Sequence, residues 1–219
     1  MLRIGIVDDH LLFRRSLVML VNTFPNTKVV LQAGNGQELL AQLNAVAIDL
    51  LLLDIQMPAM DGFQTCTTIK RLYPDIKILI ISQLSTREAI HKVMELGANG
   101  FFSKNSNPEQ LEQAIRGIKD KEFYFEQELG AIVREIVSGT KKRQSASTDS
   151  AVAISAREMD VLRLACKEYS SIEIADRLCI TARTVDTHRK RVMERTQSKN
   201  FIGVIVYALR HGLLFIDDL

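Results

Sequence analysis

Five polar side chains in the first half of the chain stand where they could do chemistry together. Asp8 and Asp9 follow an apolar, β-branched run, Leu2–Val7, and Asp54 follows another, Ile48–Leu53. Ser82 closes a third run, Ile76–Ile81, and Lys104 comes just after a short one, Gly100–Phe102. Each group thus sits at the C-terminal end of a strand-length apolar segment. In a parallel sheet those ends share one edge, where open α/β sheets bind ligands. Three carboxylates brought together repel one another unless a cation neutralises them, and hard oxygen donors completed by water suit Mg²⁺. Lys104 adds a second positive charge. A nucleophilic carboxylate, a divalent ion, a hydroxyl and an ammonium are the parts needed to place a phosphoryl group on Asp54 and hold its oxygens. No Gly-rich phosphate loop or nucleotide signature is present, so the phosphoryl donor comes from outside.

A second group of residues points to a different chemistry. Ile172–Leu178, a turn at Cys179-Ile180 and Thr181–Arg195 read as helix, tight turn, helix. In the last of these, Val185, His188 and Val192 fall within one narrow stripe, with Arg189 at its edge. At about 100° per residue, Arg183, Thr187, Lys190 and Glu194 point the opposite way, flanked by Asp186 and Arg191. That outer face is mostly basic and carries hydrogen-bonding tips near its N-terminal half. It suits the major groove of DNA, where side chains read base edges while Lys and Arg meet phosphates.

The elements that must position these groups alternate strand and helix five times in the first 120 or so residues. This predicts an α/β fold, a doubly wound five-stranded parallel sheet. The helix over His10–Asn22 is expected to carry Leu12, Ser16, Met19 and Leu20 on one face. Thr86 is expected to cap a helix that Gly97 stops, and Asn107-Pro108 to open one with the apolar stripe Leu111, Ile115 and Ile118. Pro58, Asp61 and Gly62 end the central strand in a turn. Residues 126–138 can form one more helix. Residues 139–150 are polar, small and aperiodic, as in a flexible linker. Beyond them the pattern is a small all-α four-helix unit. Ser155-Ala156-Arg157-Glu158 forms a capping box, Thr181 caps the third helix, and Asn200–Gly212 is the fourth. The expected division is 1–122, a connecting stretch 123–150, and 151–219.

Apolar content of 47% and charged content of 25% are those of a soluble globular protein. Asp49 and Asp54 interrupt the greasiest region, so no membrane-spanning segment is expected, and Asp8 comes too early for a signal peptide. Cys66, Cys166 and Cys179 lack metal-ligand spacing and are expected to be reduced, buried thiols in the cytoplasm. Residues 1–138 hold 14 Lys/Arg against 16 Asp/Glu, whereas residues 139–219 hold 14 against 10. The basic C-terminal portion hints at a polyanionic partner.

The set Asp8-Asp9, Asp54, Pro58, Asp61-Gly62, Ser82 and Lys104 resembles the receiver domain of bacterial two-component response regulators, over roughly residues 1–120. The resemblance implies the flavodoxin-like strand order 2-1-3-4-5 and assigns roles. Asp54 would be the phosphoacceptor. Asp9, Asp54 and the backbone carbonyl of Gln56 would ligate Mg²⁺, with Asp8 acting through water. Ser82 would hydrogen-bond the phosphoryl group and Lys104 would pair with it. Phe101 stands at the family's aromatic switch position, although a plain core Phe fits that strand equally well. Asn105 replaces a common Pro after the lysine, and Met57 and Met60 read as packing residues.

Ile154-Ser155-Ala156-Arg157-Glu158, Glu173-Ile174-Ala175 and Thr184-Val185-Asp186-Thr187-His188 resemble the LuxR-type helix-turn-helix, over about 152–215. Ala156 stands in place of the usual Pro, and Ile172 where a polar residue is common. The resemblance puts Asp186, Thr187 and Lys190 at base-reading positions, with Arg183, Thr184 and Arg191 beside them. The last helix, with Ile202, Ile205 and Leu209, is apolar beyond the needs of one small core, and in this family it pairs two copies.

Together the two halves resemble a NarL/FixJ-class response regulator. The implied partners are a sensor histidine kinase or phosphotransfer protein, double-stranded promoter DNA and a second copy of the chain. Two rivals are a DNA-binding regulator working without phosphorylation and an aspartyl-phosphate phosphatase. The phosphatase would want an acid/base carboxylate two residues after the nucleophile, where Gln56 stands.

Overall fold

The computed structural model describes residues 1–83, 86–125, 152 and 154–215. The helix expected over 126–138 and the linker over 139–150 lie outside the described residues. The chain divides into two compact units, Met1–Ile118 and Lys119–Leu219.

In the first unit β1 (Leu2–Val7), α1 (Leu11–Val21), β2 (Thr27–Ala33), α2 (Gly36–Leu43), β3 (Leu50–Leu53), α3 (Gly62–Leu72), β4 (Lys77–Ser82), α4 (Arg87–Leu96), β5 (Gly100–Ser103) and α5 (Pro108–Lys121) alternate strictly. The five strands pair in parallel in the order β2-β1-β3-β4-β5. A two-residue strand, β6 (Tyr124–Phe125), follows α5 and stands last in the sheet order, one strand more than the alternation predicts. All four leucines of β3 are buried, as a central strand covered on both faces requires. α1 lies against β1 and β2, while α2 packs on α3 and α3 on α4. The expected stripe of α5 is buried as read. Thr86 accepts from the Ala89 N–H, and Gly97 takes a left-handed φ of 98° that ends α4.

The face expected for α1 is wrong. Leu17 and Val21 are buried, whereas Leu12 is 82% exposed and Met19 and Ser16 are also outside. Eight of the eleven residues of Leu11–Val21 are apolar, so helical spacing alone fits more than one stripe.

The second unit contains α6 (Ala156–Cys166), α7 (Ser171–Leu178), α8 (Ala182–Arg195) and α9 (Phe201–Arg210). α6, α7 and α9 all pack on α8. Ser155 and Glu158 form the expected capping box, so local hydrogen bonds start α6 where a Pro is more usual. Cys66 and Cys166 are buried, but Cys179 is exposed. It ends α7 in the left-handed region at φ 53°, and that sharp exit leaves no core for its side chain. Ile202 and Ile205 are buried too. The apolar surplus read on α9 is therefore used within the chain and does not by itself argue for a second copy.

Candidate functional site

Strand register assembles the first site. Val7 of β1 pairs with Leu53 of β3, and the Asp54 N–H donates to the Val7 carbonyl at 2.9 Å, so Asp8 and Asp54 leave the sheet side by side. Ser82 pairs with Ser103, and the Lys104 N–H donates to the Ser82 carbonyl at 2.9 Å. The Lys104 ammonium then reaches Asp8 Oδ2 at 2.7 Å and Asp54 Oδ2 at 2.6 Å. Its side chain is only 7% exposed, and both carboxylates are buried. Residues 46 and more positions apart in the chain thus form one charge cluster.

The electrostatics are finely opposed. Burial raises the pKa of Asp54, aided by the charge of Asp8, while Lys104 pulls it back. Burial also works against the Lys104 ammonium, but the two carboxylates outweigh it and raise its pKa. Lys104 is therefore a fixed cation at neutral pH, held against the carboxylate it serves.

The turn after β3 folds back onto the strand end. The Gly62 N–H donates to the Ile55 carbonyl at 2.9 Å, and a Cβ on Gly62 would lie 2.2 Å from the Asp54 carbonyl oxygen and 2.6 Å from Ile55 Cα. Only glycine permits that approach. Asp61 is spent on the helix start, accepting from the Gln64 N–H at 2.8 Å. The Gln56 N–H points to Asp54 Oδ1 at 3.3 Å. Ser82 is buried at the same edge, and Phe101 and Phe102 are both buried on β5.

Three residues that the sequence reading left among the helix positions join this cluster. The His10 N–H donates to Asp8 Oδ1 at 2.8 Å, and His10 Nδ1 lies 2.9 Å from Asp9 Oδ1 and 3.4 Å from Asp8 Oδ1. The Phe13 ring centroid lies 4.6 Å from Lys104 Nζ, a cation–π contact, and Arg14 donates to the Asp8 carbonyl. The available signal was the unbroken run Asp8-Asp9-His10 with Phe13 one helical turn further on. Asp8, Asp9, His10 and Asp54 bring ligand atoms within 4.8 Å of one another. Three carboxylates beside an imidazole fit a divalent cation by donor chemistry.

The second candidate site is the outer face of α8. Arg183, Asp186, Thr187, Lys190 and Arg191 are exposed, as expected, and Thr184 is half-buried. Three of these side chains already have partners, Thr187 among them, whose hydroxyl donates to the Arg183 carbonyl at 2.8 Å. Thr184 Oγ1 is 2.9 Å from Thr181 Oγ1 at the helix cap, and Asp186 Oδ1 accepts from the Ser171 hydroxyl at 2.7 Å. The inner face differs from the expected one. Val185, Arg189 and Val192 are buried at i, i+4 and i+7, and His188 is only half-buried. Arg189 is 1% exposed, with Nη2 3.3 Å from the Tyr169 carbonyl and its guanidinium 5.1 Å from the Phe201 ring centre. Burial lowers its pKa. It is a core residue, spaced one turn from each valine, and is unavailable to a phosphate.

Behind that face Glu158 joins α6 to α8. Its buried carboxylate accepts from the Ser155 N–H at 2.9 Å, the Ser155 hydroxyl at 2.7 Å and Arg195 Nη1 at 2.9 Å. Burial opposes its charge, but those hydrogen bonds and Arg195 prevail and hold its pKa below the ordinary glutamate value.

Comparison with known proteins matches both parts of the chain to families. Residues 4–116 match the family model described as the response regulator receiver domain. Residues 152–208 match the model for bacterial regulatory proteins of the luxR family. Oxygen regulatory protein NreC of Staphylococcus aureus is 32% identical over 215 residues, covering 97% of this chain and 99% of NreC. A LuxR-family two-component response regulator of Aurantimonas sp. SI85-9A1 is 27% identical with a TM-score of 0.56, covering 64% of this chain and 97% of that one. The response regulator RcsB of Salmonella typhimurium shares the fold at 21% identity and a TM-score of 0.56, covering 94% of this chain and 97% of RcsB. A structure of RcsB with DNA matches at 23% identity and a TM-score of 0.57, over 95% of this chain and 98% of that one.

Proposed function

Because this chain belongs to the NarL/FixJ-class response regulators, phosphorylation-controlled DNA-binding proteins built from a receiver and a LuxR-type domain, we propose that Asp54 is its phosphoacceptor and the outer face of α8 its DNA reader. The carrying observation is the Lys104 ammonium, 2.6 Å from Asp54 and 2.7 Å from Asp8 at a buried strand edge. An Asp54 oxygen forms a bond to phosphorus as the bond from phosphorus to the donor breaks. The donor is a phosphohistidine of a sensor kinase or phosphotransfer protein, or a small acyl phosphate, and the leaving group departs with the donor's electron pair. Lys104 is placed to follow the developing charge onto a phosphoryl oxygen. Ser82 supplies a hydroxyl to another, and repacking of Phe101, a buried side chain of β5, reports the change. Asp9, Asp54 and the Gln56 carbonyl, with Asp8 through water, would hold Mg²⁺. That ion, when bound, supplies neutralisation of the phosphoryl oxygens. The receiver acts once per phosphate and also discharges itself, turning over no outside substrate.

The phosphorylated protein binds promoter DNA as a pair of copies, and works in the cytoplasm. Among the described residues no helix is long and apolar enough to cross a membrane. Arg183, Lys190 and Arg191 meet phosphates and base edges, while Thr184, Asp186 and Thr187 lie at the base-facing end. The contact of Asp186 with Ser171 orients one carboxylate oxygen and leaves the other to accept from a cytosine amino group.

Incubation with acetyl phosphate and Mg²⁺ tests the receiver. A hydroxylamine-sensitive mass gain of one phosphate is expected for the natural protein and none for Asp54→Asn, with tighter promoter binding only in the former. Equal phosphate incorporation in both would refute the assignment. Equal DNA binding with and without phosphate would favour the regulator that works unphosphorylated.

A further inference from the structure

The imidazole of His10 has no task in the phosphoryl chemistry, yet it is held against the acidic cluster. His10 is the N-cap residue of α1, but its side chain makes no capping hydrogen bond. It turns instead toward the carboxylates, while its own N–H is fastened to Asp8 Oδ1 at 2.8 Å. The separation of Nδ1 from Asp9 Oδ1, 2.9 Å, is close to the ~3.0 Å edge of an octahedron with ~2.1 Å metal–ligand bonds, and Asp8 Oδ1 lies further off at 3.4 Å, as suits a carboxylate that acts through water. With Asp54 added, all four residues keep ligand atoms within 4.8 Å. A carboxylate-only set suits Mg²⁺, whereas one imidazole donor raises affinity most for ions later in the first transition row.

We propose that His10 Nδ1 is a ligand of the metal bound at the receiver's acidic site, biasing that site toward a borderline divalent transition ion over Mg²⁺. The inference rests on the reading of Asp9 and Asp54 as the divalent-cation site. His10 is 66% exposed, so it can swing to complete the shell without disturbing the core. The imidazole takes one position that water would otherwise fill, and the ion discriminates between nitrogen and oxygen at that position.

Co²⁺ and Mg²⁺ affinities measured by calorimetry on the full-length natural protein, His10→Asn and Asp9→Asn provide the test, with the visible d–d spectrum of Co²⁺ as an independent readout. The natural protein should prefer Co²⁺, and His10→Asn should lower the Co²⁺-to-Mg²⁺ affinity ratio at least about ten-fold, the scale on which even outer-shell partners act. Its Co²⁺ bands should shift toward those of all-oxygen coordination. Bands that persist unchanged in Asp9→Asn come from outside the site, such as the chain's three other histidines, and are subtracted. Asp9→Asn should weaken both ions. An unchanged ratio in His10→Asn, with Asp9→Asn still weakening both, overturns the His10 assignment and leaves its imidazole as an ion-pair partner only. If Asp9→Asn weakens neither ion, the site reading itself fails.

Discussion

With Lys104 Nζ within 2.7 Å of two buried carboxylates, the acidic site depends on one side chain for its buried counter-charge. Truncation to Met would leave Asp8 and Asp54 facing each other without a counter-ion. Breaking a buried ion pair from one side costs about 3–5 kcal/mol. Lys104→Met is therefore expected to lose stability of that order in urea unfolding without divalent ions, and to regain part of it in millimolar Mg²⁺ by mass action. The same change in both conditions would mean that no cation shares the cluster. Gly62 is a second single point of dependence, because its missing Cβ is what lets the following turn close on the Asp54 carbonyl. Both residues stand out in the sequence, Lys104 as the one basic group among the polar strand ends and Gly62 as the stop of a turn. What each touches is a matter of register and close approach, which no local pattern encodes.

At the scale of elements, α6 and α8 are joined through a carboxylate as well as an apolar core. Glu158 has a folded pKa below its ordinary 4.5, so its contribution is fully present above that value and is lost as pH falls through the lower folded value. Glu158→Gln should remove about 1.5–3 kcal/mol at neutral pH, the range of charged hydrogen bonds, and flatten the acid limb of the stability profile below pH ~4.5. Thermal unfolding of the variant across pH checks both. An acid limb that keeps its slope in the variant would place the titrating group elsewhere. The same helices show how far periodicity carries. It located α1 and α8 within a residue or two and put Arg189 at the edge of the inner stripe of α8, but it misassigned the buried face of α1 and gave no sign that Arg189 is fully buried. An arginine in the core runs against every compositional prior, and only the packed position of the Tyr169 carbonyl and the Phe201 ring makes room for it.

For the whole molecule, charge is divided along the chain, with its basic excess in residues 139–219. On a polyanion that excess acts through phosphate neutralisation, whose strength falls with salt in proportion to the contacts made. Arg191→Ala should weaken promoter binding and reduce the slope of log K against log salt by about 0.9, with base preference retained. Asp186→Ala should do the reverse, relaxing base preference at one position. Binding measured between 50 and 200 mM salt separates the two. An Arg191→Ala protein with an altered sequence preference and an unchanged slope would exchange their roles.

The sequence alone determined the alternation of elements, the polar strand tips, and the caps at Thr86, Ser155 and Thr181. Those features rest on hydrogen bonds and apolar spacing within three or four neighbouring residues. Tertiary structure alone decided that Lys104 bridges Asp8 and Asp54, that His10 faces the carboxylates, that Arg189 is core and that Cys179 is exposed. The Lys104 bridge and the Arg189 core position depend on atoms brought together from different elements. His10 instead meets carboxylates one and two residues before it because of how the chain turns from β1 into α1. In each, the folded backbone, and not the residue pattern, sets what a side chain meets.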